Sequence, residues 1–176
     1  MIIIETILKI LKALRKSNII EAIIALLTAI LSVIVLLQVV FRYVLNSPLA
    51  WTEEASRFLL IWIVLLGAAI GIKRKSHFTV DIFFKKLSPK LQQSLQLALD
   101  IFLFILIFDV MIINGVYLSK LTFRQISPAL NIRMSYVYSA VLAGGILSCC
   151  YVLEDILSYI KEGITKNQNR IIEKGS

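Results

Sequence analysis

The sequence predicts an all-α membrane protein. It has four transmembrane helices, an amphipathic interfacial helix before them, and a short in-plane helix between spans two and three. Three observations carry that prediction. Hydrophobic residues make up 59% of the chain and charged ones 17%, with a mean hydropathy of +0.85, whereas soluble domains hold about 45–50% apolar and about 25% charged residues. Four segments meet, or nearly meet, the roughly 20 apolar residues that cross the hydrocarbon core of a bilayer. Three Pro and seven Gly among 176 residues leave little room for linkers or disorder.

Residues 1–16 read as the amphipathic helix. Ile3, Ile7, Ile10 and Leu14 recur at helical spacing, flanked by Ile4, Leu8 and Leu11, while Glu5, Lys9, Lys12 and Lys16 form the opposite stripe. A basic helix of this kind lies along a membrane surface, its lysines near anionic headgroups, so membrane lipids are an expected partner. Residues 17–160 hold the membrane domain, with spans at about 19–41, 52–72, 95–118 and 136–153. The first is too long for a signal-peptide core and is followed by Arg42-Tyr43 rather than a small-residue cleavage pattern, so it is expected to remain as an anchor.

Span two has an uncharged core of only 15 residues, Phe58 to Ile72. That is about 22 Å of helix, so it must extend back through Glu53, Glu54 and Arg57 to reach both interfaces. Before it, Asn46-Ser47-Pro48 is a turn signal, and Trp51 suits the headgroup region. Between spans two and three, Val80, Phe83, Phe84 and Leu87 share one face of a short amphipathic stretch that ends at Ser88-Pro89, where Pro opens the next helix. Residues 161–176 form a polar tail, frayed from Asn167.

The net charge of +8 would raise nucleic-acid binding in a soluble protein, but here the basic residues sit between apolar runs and report topology instead. Fourteen of nineteen fall before span one, between spans two and three, or after span four; Arg42, Arg57, Lys120, Arg124 and Arg133 are left for the other side. Both termini are therefore expected in the cytoplasm.

The inventory for chemistry is nearly empty. Adjacent cysteines, Cys149 and Cys150, lie inside an apolar run and read as small membrane or helix-facing residues. One histidine excludes bis-histidine haem ligation by a single copy. No enzymatic activity, cofactor or metal is expected. Asp100 and Asp109 are nine residues apart, which at about 100° per residue puts them on opposite faces of span three, so they cannot form one di-acid site. Asp109 is expected to pair with Arg57, or secondarily Arg42, as a buried polar pair; the alternative is a relay in a self-sufficient homo-oligomeric transporter or channel using Asp100 and Asp109. Gly67 and Gly71 form a GxxxG run in span two, and Ala140, Gly144 and Ser148 recur every four residues in span four. Both faces permit close helix packing, within the bundle or with another chain.

Arg42-Tyr43-Val44-Leu45-Asn46-Ser47-Pro48, then Trp51-Thr52-Glu53-Glu54, Trp62, Gly67-Ala68-Ala69, and His77 with Val80-Asp81 together resemble the small membrane subunit of tripartite ATP-independent periplasmic (TRAP) transporters. The turn Ser127-Pro128-Ala129-Leu130 is similar too. The resemblance implies a bacterial or archaeal inner-membrane scaffold. It would pair with a large multi-span, elevator-type subunit and serve a periplasmic substrate-binding protein in sodium-coupled import of an organic acid, of the C4-dicarboxylate or sialic acid class. It further implies partner-interface roles for Arg42, Trp51, Glu53, Glu54, Arg57, Gly67 and Gly71, with His77 and Asp81 at the inner membrane surface.

Overall fold

Long apolar runs free of internal Pro satisfy every backbone group within the helix, which is what a bilayer demands of a spanning segment. The computed structural model describes residues 2–74 and 89–174. Helix α1 runs Ile2–Lys16, α2 Ile19–Tyr43 and α3 Ala50–Lys73. The third span is α4, Pro89–Ile107, followed by a π-helical turn over Phe108–Ile113 and α5, Asn114–Leu121. The fourth is α6, Met134–Lys174. Among the described residues, four helices are long and apolar enough to cross a membrane, and a single antiparallel bridge, Ile126 to Arg133, is the whole of the β-structure. The expected in-plane helix, with His77 and Asp81, lies outside the described residues.

The helices run alternately up and down, so α1, the start of α2, the end of α3 and the C-terminal half of α6 gather at one end. The other end carries the α2–α3 turn and the loop between α5 and α6. Asn46 takes the left-handed φ of 49° that the first of these turns requires. Pro89 is the first residue of α4, as expected of a proline whose missing N–H costs nothing there. The tail expected to fray from Asn167 instead continues α6 to Lys174, a stretch without proline in which Glu, Lys and Arg favour helix.

Helix α6 is the hub. It packs against α3, against all three parts of the third span and against α1, whereas α2 rests on α3. Half of the most apolar window of α6 is buried and none of that of α2 is. On α2 the half-buried positions Ile20, Glu21, Ile24, Leu27, Leu31, Ile34, Gln38 and Phe41 mark one side, and the other positions of the helix are exposed. Ile107, Cys149 and Val152 centre the core between α4 and α6, with Leu103, Phe104 and Met111 against them.

Close approach at the hub depends on two glycines. A Cβ on Gly144 would stand 2.9 Å from the Leu65 carbonyl oxygen of α3, and one on Gly145 would stand 2.8 Å from Met111 Cβ in the π-turn. Association of helices in lipid rests on such packing, since lipid tails are as apolar as the side chains. By contrast Gly67 has nothing within 4 Å of the corresponding position. The bundle therefore closes through Gly144 and Gly145, and Gly67 is left open on α3.

Candidate functional site

Two polar clusters stand at the two ends of the bundle, and each is built from residues far apart in sequence. At the loop end, α3 begins at Ala50 after Leu49, with Thr52 fully buried and its Oγ1 donating to the Leu49 carbonyl at 2.7 Å. Helical phase then separates the two acids that follow. Glu53 faces out and meets Arg57, one turn on, at 3.7 Å, with both side chains more than 60% exposed. Such a pair stabilises by about 0–1 kcal/mol. Glu54 faces in, at 9% exposure.

There Glu54 Oε2 accepts three hydrogen bonds from the α5–α6 loop: Ser127 Oγ at 2.8 Å, Ala129 N–H at 3.1 Å and Leu130 N–H at 2.9 Å. One carboxylate thus gathers the donors around Pro128, a residue with no N–H of its own. The loop is closed further by Ser127 N–H to the Ile132 carbonyl at 2.9 Å, by Met134 N–H to the Gln125 carbonyl at 2.9 Å, and by the left-handed φ of 57° at Asn131. Arg133 lies over the Phe123 ring at 4.7 Å. A recess of about 540 Å³ opens beside this anchor, lined by Glu54, Arg57, Phe58, Gln125, Ile126, Ser127, Pro128 and Met134.

Glu54 was expected beside Glu53 on a partner-facing surface; it is instead committed to its own chain, because helical phase turns it toward a loop 73 residues downstream. Glu54→Ala is expected to free the loop without unfolding the helices. The loss of its three charge-assisted bonds is readable as faster hydrogen exchange at the amides of Ala129 and Leu130 with the helical amides unchanged.

At the terminal end, Arg15 reaches across from α1 to α6. Its Nη1 lies 2.7 Å from Asp155 Oδ1 and 3.2 Å from Glu154 Oε2, and its Nε and Nη2 donate to the Lys73 carbonyl at 3.1 and 2.6 Å. The orphan carbonyl at the end of α3 is thereby capped by a cation. Lys73 Nζ in turn binds Glu21 Oε1 at 2.9 Å and the Ser17 carbonyl at 2.9 Å, and Arg74 binds Glu21 Oε2 at 2.8 Å. Lys161 meets Glu5 at 3.2 Å. Four helices are tied by one ionic network, while Leu8 and Leu11 pack α1 against α6. This site was missed in the sequence. The signal was present, as Glu154-Asp155 directly after an apolar run and an arginine among lysines, but nothing local joins positions 139 and 140 residues apart.

Of the other candidates, Arg42 and Trp51 are exposed at the loop end, Trp51 by 40%. Gly71 is half-buried near the other end of α3. The expected pair of Asp109 with Arg57 does not form. Arg57 is exposed on α3 and meets Glu53, whereas Asp109 is exposed on the third span. Asp100 is buried at 3% exposure, with Gln96 Nε2 3.5 Å from its Oδ1. Among the described residues, no three His, Cys, Asp or Glu side chains converge as a metal would require. Cys149 and Cys150 are both free thiols.

The arrangement is a braced frame. The buried ionic groups at its two ends hold helices and a loop in place. The family model for tripartite ATP-independent periplasmic transporters, DctQ component, matches residues 31–162, a stretch containing the Glu54 loop anchor, the glycine hub and the acids that bind Arg15. The chain belongs to this family. It is therefore a TRAP transporter small permease subunit, a multi-pass protein of the inner membrane.

Among its relatives, the sialic acid TRAP transporter small permease protein SiaQ of Vibrio cholerae is 33% identical over 153 residues, 86% of this chain and 88% of that one. A putative TRAP transporter small permease protein of Haemophilus influenzae is 32% identical, covering 75% of this chain and 81% of the relative. The isethionate TRAP transporter permease protein DctMQ of Oleidesulfovibrio alaskensis is 29% identical over 73% of this chain, yet the match takes up 21% of that longer polypeptide. A DctQ-like unit thus occurs in the family both as a separate chain and as one part of a larger permease.

Proposed function

We propose that this chain is the static scaffold subunit of a sodium-coupled, binding-protein-dependent importer of an organic acid, of the sialic acid or C4-dicarboxylate class. It pairs with a large elevator-type membrane subunit that carries the solute and sodium sites, and it has no enzymatic activity of its own. The observation that carries this reading is the use made of its polar residues. Glu21, Glu54, Lys73 and Arg15 are all spent on bonds within the chain, so the molecule is built to be stiff. A frame against which another domain moves must be stiff. The substrate class rests on relatives named for sialic acid and for C4-dicarboxylate.

In this reading the chain lies with both termini in the cytoplasm, by the positive-inside rule. The exposed Ile7, Ile10 and Leu14 of α1 then rest on the inner membrane surface, while Leu8 and Leu11 hold the helix to α6. Glu53, Arg57, Trp51 and Arg42 stand at the periplasmic rim, where the large subunit or the docked binding protein meets them.

The experiment is a co-purification from the native membrane in mild detergent, with the tag on this chain. A stoichiometric large multi-span partner is the expected result. Recovery of a homo-oligomer alone overturns the proposal and returns Asp100 and Asp109 as transport residues.

A further inference from the structure

Asp109 stands near the middle of the third span, which extends over Ser94–Leu121. Leu121 is twelve positions further on, about 18 Å of helix, so with this span crossing a bilayer the Asp109 carboxyl group lies deep in the hydrocarbon layer. It is exposed on the surface of the bundle. Among the described residues its carboxylate has no ion pair and no hydrogen bond. Charged or protonated, a carboxyl group facing lipid at that depth carries a large penalty unless another molecule supplies a partner.

The helix is also deformed there. Phe108–Ile113 forms a π-turn, and Asn114 donates both its backbone N–H and, at 2.9 Å, its Nδ2 to the Asp109 carbonyl oxygen. The turn contains neither Gly nor Pro, so the widening has no local steric cause. Within it Met111 packs directly on Gly145 of α6. Phe102, Ile105, Asp109, Ile113 and Val116, spaced three or four apart, form one exposed stripe with the carboxylate at its centre.

We infer that this stripe is a docking face for a transmembrane helix of the large subunit, one that presents a cation or hydrogen-bond donor to Asp109 at the bilayer midplane. The inference rests on the scaffold reading above for the identity of the partner. A purely apolar helix would leave the carboxyl group unsatisfied, and a bilayer alone would do the same. Apolar contacts above and below exclude water from the pair, and that exclusion makes one polar contact a strong determinant of register.

The test is Asp109→Leu in the full chain, co-expressed with its large subunit. Recovery of the large subunit per tagged small subunit should fall by about tenfold or more, because its buried donor is left without a partner. Asp109→Asn, which keeps an acceptor, should fall between. The isolated Asp109→Leu chain should keep the helicity and melting temperature of the unsubstituted protein, since no group within it loses a bond.

Unchanged recovery of the large subunit overturns the inference. So does a loss of stability in the isolated variant, which would make Asp109 an internal structural residue. A complex that assembles normally but no longer transports overturns it as well, by making the carboxylate a transport group. If the unsubstituted chain recovers no large subunit at all, the scaffold reading fails and the docking face fails with it.

Discussion

Arg15→Ala is expected to destabilise the isolated subunit by about 3–5 kcal/mol, the cost of removing one partner from a buried ion pair. Two carboxylates are affected together, since Glu154 and Asp155 are 7% and 12% exposed as side chains and both face the guanidinium. The Lys73 carbonyl at the end of α3 loses two further donors. Thermal unfolding in detergent should show a melting temperature lower by on the order of 10 °C. Arg15→Lys should recover only part of this, because a single ammonium cannot reach both acids and the carbonyl in the geometry of a planar fork. The same substitution made with Glu154→Gln and Asp155→Asn should cost far less, since neutral amides need no counter-ion. Equal losses in both backgrounds would show that Arg15 acts through packing alone.

Gly144→Val should be the most damaging single change within the spans. Its added Cβ would fall 2.9 Å from a backbone oxygen and 3.2 Å from the backbone carbon of Leu65, atoms that no rotamer change can move. Overpacking at a close contact costs about 1–3 kcal/mol and occasionally more, and here the upper end is expected because α3 itself must withdraw. With α3 would go its contacts to α2, and the Glu54 anchor would lose its register with the α5–α6 loop. Gly67→Val serves as the contrast. Nothing lies within 4 Å of that position, so the isolated chain should melt as the unsubstituted protein does. The comparison is read as two melting curves of purified protein, and a shared shift would contradict the assignment of α6 as the hub.

These predictions mark where the sequence was legible. The spans were, because a bilayer imposes a length that an apolar run displays directly. The expected spans at 19–41 and 52–72 fall within the helices Ile19–Tyr43 and Ala50–Lys73. Helix type was equally plain, since Pro is confined to positions 48, 89 and 128. What stayed hidden was which residue meets which. The small-residue runs at Gly67-Gly71 and at Ala140-Gly144-Ser148 both announced close packing but not a partner; Gly144, with Gly145, closes the bundle and Gly67 does not.

The Trp51-Thr52-Glu53-Glu54 stretch stood out in the sequence, and helical phase divides its two acids between faces. That Glu54 faces a loop rather than another chain could be read only from the fold. Glu21 shows the same limit. In sequence it interrupts span one; in the structure it binds Lys73 and Arg74, more than 50 residues away. The π-turn at Phe108–Ile113, which contains neither Gly nor Pro, left no mark in the sequence.

The measurement that tests the scaffold account most directly is uptake by proteoliposomes from which one component at a time is omitted. Radiolabelled sialic acid and C4-dicarboxylates would be the solutes, with an inward sodium gradient. The account predicts no uptake by this chain alone, no uptake by the large subunit without it, and uptake when both are joined by the binding protein. Sodium-driven uptake by this chain alone would contradict it.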